Sequence, residues 1–251
     1  MSSWFRKGRK KALFFDMNNT LVDRRQCFHA GFIEVLSQFT ARWEADSITE
    51  IGTPEDALLA YKAEWSKRRK QPVREPLSSD ELRFVCLRKA LEPYPLKVSE
   101  AFSRAFFQQV EMAEEGYVTL FPHVLETLEK LSGTYRLAII SNGRRDRLES
   151  NLARLGLDRF VPRERLFSSE RDGPRKPHPD IFHSAMRAVG IRPQEGVMIG
   201  NSWKQDIVGA VDSGMDAVWI HPAGAKKIAQ RKLGRGQVVI IRAFHQLQTI
   251  L

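Results

Sequence analysis

The apolar positions of this chain follow two different periods, and the change between them divides the sequence. Five short runs are apolar on successive residues and have no polar face to turn toward water: Lys11–Asp16, Arg136–Ile140, Gly196–Gly200, Asp216–Ile220 and Val238–Ile241. Such runs suit strands buried on both faces of a parallel sheet. Between them, apolar residues recur at every third or fourth position. Pro122–Leu131 lines up Val124, Leu125, Leu128 and Leu131 and stops at Gly133. Asp146–Leu155 lines up Leu148, Leu152 and Leu155 before Gly156, and Asp180–Val189 follows Pro177 and Pro179 and closes at Gly190. Strands alternating with helices predict an α/β fold built on a doubly wound, Rossmann-like parallel sheet.

From about Arg24 to Gly116 the strand period disappears. Phe28, Phe32, Val35, Leu36, Phe39 and Trp43 form one stripe at helical spacing. Thr53-Pro54-Glu55-Asp56 reads as an N-cap followed by proline at the first helical position. Ser78-Ser79-Asp80-Glu81 reads as a capping box, and Ser99–Glu115 repeats the helical pattern. The predicted organisation is therefore a core domain over 1–22 and 117–251, interrupted by an all-helical cap domain over 23–116. A helical insert after the first strand of such a sheet is expected to act as a lid over the carboxyl ends of the strands.

Composition narrows the class. With 42% hydrophobic and 28% charged residues, the 251-residue chain has the make-up of a soluble globular protein. No apolar run approaches the roughly 20 residues of a membrane span. The basic N-terminal cluster runs into Leu13-Phe14-Phe15-Asp16, too short and too soon charged for a signal peptide. Two cysteines, Cys27 and Cys86, do not make a disulfide framework, so a cytoplasmic location is expected. The net charge of +10 invites a polyanionic partner until it is mapped. The insert over 22–118 holds 14 Lys/Arg against 16 Asp/Glu. Residues 1–11 hold Arg6, Lys7, Arg9, Lys10 and Lys11 with no acid, and residues 226–242 hold six basic residues with none. The excess thus belongs to the two ends, which are expected to be solvated surface with weak affinity for polyanions, not a nucleic-acid-binding fold.

Four short motifs carry the candidate chemistry. Asp16-Met17-Asn18-Asn19-Thr20-Leu21 follows the first predicted strand, and Ser141-Asn142-Gly143 follows the second. Lys176-Pro177-His178-Pro179 precedes a helix, and Gly200-Asn201-Ser202-Trp203-Lys204-Gln205-Asp206 follows a later strand. In a doubly wound sheet these places meet at the carboxyl edge. A carboxylate, a hydroxyl, a lysine and a second carboxylate in one pocket suit phosphoryl transfer through an aspartyl intermediate, with a divalent cation offsetting the repulsion between carboxylate and phosphate. None of the six histidines has metal-ligand spacing. Trp203 reads either as a wall of the pocket mouth or as a packing residue, and Arg24 and Arg25 either as hinge residues near substrate or as a solvated linker.

The order, spacing and strand-end placement of these motifs resemble the haloacid dehalogenase (HAD) superfamily, and the insert looks like that superfamily's first-type cap. The resemblance spans Lys11 to Leu251. It implies that Asp16 is the nucleophile, that Thr20 fixes the motif I loop, and that Lys176 is the cationic partner of the phosphate. It further implies a phosphate-facing set of Asn18, Asn19, Thr20, Ser141, Asn142, Gly143 and Lys176. A Mg²⁺ site would be drawn from Asp16, Asn18 through its carbonyl, Asn201 and Asp206.

Two positions depart from the family pattern. Family phosphatases usually carry Asp, as general acid and base, where this chain has Asn18, and a metal-ligating Asp where it has Asn201. An amide cannot shuttle a proton, and losing a general acid/base typically costs ~10²–10⁴-fold. A neutral oxygen also holds a hard cation less well than a carboxylate. The expected function is a Mg²⁺-dependent phosphatase, slow on poor leaving groups, acting on a small phosphorylated molecule, as monomer or dimer and away from membranes. The alternative is a non-catalytic or regulatory phosphate-binding protein. A 2-haloacid dehalogenase is disfavoured, because Asn18 is not the aromatic residue of that branch.

Overall fold

Ala12–Phe15 forms β1, and all four of its side chains are buried. In the computed structural model, which describes residues 4–5, 10–44, 52–70, 77–169, 173–223 and 227–251, this strand lies third in a seven-stranded sheet ordered β3-β2-β1-β4-β5-β7-β6. The others are β2 (Arg136–Ser141), β3 (Leu166–Ser168), β4 (Gly196–Gly200), β5 (Asp216–Ile220), β6 (Ala229–Leu233) and β7 (Gly236–Ile241). All neighbours are parallel except β6 and β7. β1 pairs Phe15 with Ile139 of β2 on one side and with Ile199 of β4 on the other. The chain winds outward in both directions from β1, so the carboxyl ends of β1, β2 and β4 border the crevice where the strand order reverses. Open α/β sheets bind ligands in that crevice.

Helices α5 (Val124–Ser132), α6 (Arg145–Arg154) and α7 (Pro179–Val189) cover the sheet, as the apolar periods predict. α5 begins at Val124, not Pro122, because His123 takes a left-handed φ of 64°. α7 ends where Gly190 takes φ 70°, a conformation glycine adopts without a Cβ penalty. Its face of Ile181, Phe182, Ala185, Met186 and Val189 joins Phe14, Ile140 and Met198 in one core. Two strands have no counterpart in the expected set. β3 is three residues long, too short for a period to show. β6 is polar, with Arg231 and Lys232 exposed on the sheet edge, where charge blocks edge-to-edge pairing.

The expectation of a solvated basic N-terminal arm needs one correction. Lys10 is buried, with its Nζ 2.5 Å from Asp216 Oδ2 and 2.7 Å from the carbonyl of Gln194. A lysine whose charge is matched by a fully buried carboxylate is part of the core scaffold. Lys11 is half exposed and pairs with Glu195 at 2.7 Å. Arg6, Lys7, Arg9 and Lys226 lie outside the described residues.

The chain divides into two units, Met1–Arg24 with Thr119–Leu251, and Arg25–Val118. The described part of the second is helical: α1 (Arg24–Glu44, whose first residue belongs to the first unit), α2 (Pro54–Lys70), α3 (Ser79–Ala90), α4 (Glu100–Ala113) and a 3₁₀ turn over Glu114–Tyr117. The caps predicted at Ser78 and Thr53 form, and Ser99 adds one that the sequence reading does not single out. Ser78 Oγ accepts from Glu81 N–H while Glu81 Oε2 accepts from Ser78 N–H, and Ser99 Oγ accepts from Phe102 N–H. Thr53 and Asp56 cap α2 reciprocally. Phe32, Val35 and Leu36 meet Tyr61, Leu87, Phe106 and Val110 in this unit's core, with Phe28 and Phe39 packed against it. The side chain of Trp43 lies outside the described residues. Cys27 and Cys86 are buried and not joined in a disulfide. No helix among the described residues is long and apolar enough to cross a membrane.

Candidate active site

The end of β1 delivers Asp16 into a cavity of about 320 Å³ that also touches Asn18, Asn19, Ser141, Asn142, Gly143, Asn201 and Asp206. The Asp16 N–H still donates to the carbonyl of Ile199, so the carboxylate emerges at the last rung of the β1–β4 ladder. The following residues turn tightly, with the N–H groups of Leu21 and Val22 both donating to the carbonyl of Met17. That turn places Asn19 at a left-handed φ of 59°, which Asn tolerates better than most residues. Asn19 Oδ1 is buried without a hydrogen-bond partner among the described residues.

Lys176 is the hub of the site. Its Nζ donates to Asp16 Oδ1 at 2.8 Å, to Asp206 Oδ1 at 2.7 Å and to the carbonyl of Ile140 at 2.7 Å. An ammonium has three N–H donors, and here protein oxygens take all three. The family resemblance implies direct contact of Lys176 with phosphate; in this arrangement such contact requires one of these bonds to exchange. Asn142 holds the lysine's backbone in place, accepting from Lys176 N–H at 2.8 Å and donating to its carbonyl at 3.1 Å. The Asn142 amide is therefore engaged as a positioning group. Pro177 follows through a cis peptide bond. Gly209 lets the next element approach this loop, since a Cβ there would come within 2.9 Å of the Pro177 Cα.

Asp206 lies on a π-helical turn, Trp203–Val208, that leads into α8 (Gly209–Asp212). Both oxygens of the Asp206 carboxylate are engaged. Its Oδ2 accepts from Ser202 N–H at 2.9 Å and its Oδ1 binds Lys176. A Cβ on Gly200 would overlap the Asp206 carboxylate, so glycine at the end of β4 makes the approach possible. Asn201 accepts from Thr20 Oγ1 at 3.3 Å through its side chain and from the Trp219 indole at 3.0 Å through its backbone carbonyl. Trp203 packs on Trp219, ring centroids 4.8 Å apart, and does not line the cavity. Asn18 lines it, and its side chain makes no hydrogen bond to a described residue. Ser141 is buried at the end of β2 and its Oγ accepts from Gly143 N–H at 3.4 Å.

Burial sets the electrostatics. Desolvation pushes the Asp16 carboxyl up to about 6; the Lys176 charge and hydrogen bond work against that rise, and the Asp206 carboxylate adds to it. Burial also works against the Lys176 ammonium, but two carboxylates in contact outweigh it and hold the group above its ordinary value. The charged trio sums to one negative charge.

Three lining residues are absent from the sequence-based set: Arg175, Ser202 and Gln205. The last two carry a legible signal, because Ser202 Oγ accepts from Gln205 N–H in a Ser-x-x-Gln cap. Arg175 carries none beyond its place before Lys176.

The donors around the cavity are all oxygens. Among the described residues no group of three or more His, Cys, Asp or Glu side chains is arranged to hold a metal. Two carboxylates plus amide oxygens do not make an all-protein cage. They do fit Mg²⁺, which keeps several waters and completes its shell with substrate phosphate.

A doubly wound α/β sheet with a carboxylate–lysine–carboxylate centre at its switch point defines a class of hydrolase. A family model described as haloacid dehalogenase-like hydrolase matches residues 10–214, and the chain belongs to that family. It is 30% identical over 246 residues to a glyceraldehyde 3-phosphate phosphatase of Methanothermobacter thermautotrophicus, spanning 96% of this chain and 99% of that one. It is 22% identical over 237 residues to the N-acylneuraminate-9-phosphatase of Homo sapiens, spanning 86% and 84%. A HAD-hydrolase of Bacillus subtilis described as bound to magnesium shares the fold with a TM-score of 0.64 at 20% identity, spanning 97% of this chain and 99% of that one. The family resemblance read from four motifs is thereby confirmed, and the fold class with it.

Proposed function

We propose that this protein is a phosphatase of small phosphorylated molecules in which Asp16 is the nucleophile. The observation that carries the reading is the Asp16–Lys176–Asp206 cluster at the carboxyl ends of β1 and β4. The relatives named as phosphatases, matched over nearly their whole length, support it.

An oxygen of Asp16 attacks phosphorus, forming an aspartyl-phosphate as the bond to the leaving oxygen breaks and that oxygen takes the electron pair. Water then attacks phosphorus, releases inorganic phosphate and restores the carboxylate. Ser141, Gly143 and Asn19 line the cavity where the phosphate oxygens would sit, while Lys176 offsets one of the two carboxylate charges that face the incoming anion. Mg²⁺, held by Asp16, Asp206, Asn201 and the Asn18 carbonyl, would supply charge neutralisation between nucleophile and phosphate. Asn18 offers no proton to the leaving oxygen, so the enzyme is selective for groups that depart as stable anions, such as aryl or acyl phosphates. The helical unit over 25–118 serves as the cap.

The test is turnover of an aryl phosphate by the purified protein with and without Mg²⁺, beside Asp16→Asn. Turnover lost in the variant supports the reading. Saturable phosphate binding with no Asp16-dependent turnover would favour the regulatory phosphate-binding alternative.

A further inference from the structure

The helical unit contains a cavity of about 860 Å³, a size typical of small-molecule sites. Its walls combine two kinds of side chain. Phe28, Tyr61 and Trp65 supply aromatic surface, with successive ring centroids 5.8 Å apart. Arg25, Lys62, Arg69, Lys70 and Arg83 supply cations, and among the described residues no carboxylate lines the cavity.

That segregation runs against composition, since residues 22–118 carry more acidic than basic side chains. It arises from the register of α2. Lys62, Trp65, Ser66 and Arg69 stand at i, i+3, i+4 and i+7, so one helical face presents cation and ring side by side. Arg83 shares its charge with Glu111 at 3.2 Å and Asp80 at 3.9 Å. Lys62, Arg69 and Lys70 make no ion pair with a described residue. Favouring the helix macrodipole accounts for basic residues in the last turn of α2, but not for Lys62, two turns earlier, nor for Trp65 between them.

We infer that this cavity binds a planar ring bearing an anionic group, with the ring against Tyr61 and Trp65 and the anion among Lys62, Arg69 and Lys70. Apolar burial and cation contact then act on one ligand, and each part alone binds weakly. The inference is independent of the phosphatase reading.

The probe is 1-naphthalenesulfonate, a ring anion with no bond for a phosphatase to break, titrated into the full chain by calorimetry and tryptophan fluorescence. The expected result is one saturable site whose quenching is lost in Trp65→Phe. Affinity falls at least about fivefold in the double variant K62Q/R69Q, whose exposed positions leave thermal stability unchanged. Inorganic sulfate and neutral 1-naphthalenemethanol each bind at least about tenfold more weakly. Asp16→Asn binds the probe as the native chain does. The inference is overturned by absence of saturable binding or by undiminished affinity in K62Q/R69Q. Equal binding of sulfate or of the alcohol also overturns it, as does a loss confined to Asp16→Asn, which would place the probe in the β-sheet cavity.

Discussion

Lys176 Nζ lies 2.8 Å from Asp16 Oδ1, and this bond joins two motifs separated by 160 residues. Because the same nitrogen also bonds Asp206, one cation serves two buried carboxylates. Burial, with the Asp206 carboxylate adding to it, outweighs the Lys176 charge and raises the Asp16 carboxyl to about 6.

Asp16 therefore favours folding more when protonated than when ionised. Its folded value lies above the ordinary 3.8, so the penalty is absent below about pH 4, grows between there and about pH 6, and is complete above it. Asp16→Asn removes the penalty. The metal-free variant is expected to be more stable than the native chain at pH 7.5, by an order of 1–3 kcal/mol, and no more stable near pH 4. Urea denaturation at both pH values checks this; an equal effect at the two would sink it.

The opposite outcome is expected at the other end of the bond. Lys176→Met leaves two carboxylates buried without a cation, and breaking such a contact typically costs about 3–5 kcal/mol. The double variant Lys176→Met/Asp206→Asn is expected to recover part of that loss, because one stranded charge is gone. Denaturation midpoints of the two variants beside the native chain measure the coupling.

Much of this arrangement was legible in the sequence. Asp16, Ser141 and Gly200 end strands that are apolar without interruption, so their place at one sheet edge followed from periodicity and the right-handed winding of such sheets. What could not be read was which atoms are already engaged. Nothing in Ser141-Asn142-Gly143 indicates that the Asn142 amide grips the backbone of Lys176, because that contact exists only after two distant loops meet. The burial of Lys10 is invisible in the sequence for the same reason. A lysine in a run of basic residues looks solvated until Asp216 arrives from a strand 206 residues away. The cavity of the helical unit leaves no hydrophobic period in the sequence, because its face of α2 mixes Lys62 and Arg69 with Trp65.

Gly200 offers a test of the site's geometry that touches no charge. Alanine there would drive its Cβ into the Asp206 carboxylate, which must shift and weaken its bonds to Ser202 and Lys176. Gly200→Ala is expected to lower stability by about 1–3 kcal/mol. It should also weaken Mg²⁺ binding more than a mutation remote from Asp206 does. Thermal unfolding and magnesium titration calorimetry read the two effects separately.

Asn18 lines the cavity, and its side chain makes no hydrogen bond to a described residue. If turnover is limited by the missing proton donor, restoring a carboxyl restores the step at which the leaving oxygen is protonated. The benefit must depend on the leaving group. An alkoxide needs the proton, whereas an aryl oxide departs without it, so Asn18→Asp is expected to raise kcat about 10²–10⁴-fold on an alkyl phosphate and far less on an aryl phosphate. The new carboxylate also adds negative charge beside Asp16, which would raise the Mg²⁺ requirement and, without metal, destabilise the ionised nucleophile further. Measuring kcat for both phosphates over a range of Mg²⁺ concentrations distinguishes these effects. A uniform gain on both substrates would mean that the residue acts through metal or phosphate binding, and no gain on either would remove Asn18 from the account of the rate.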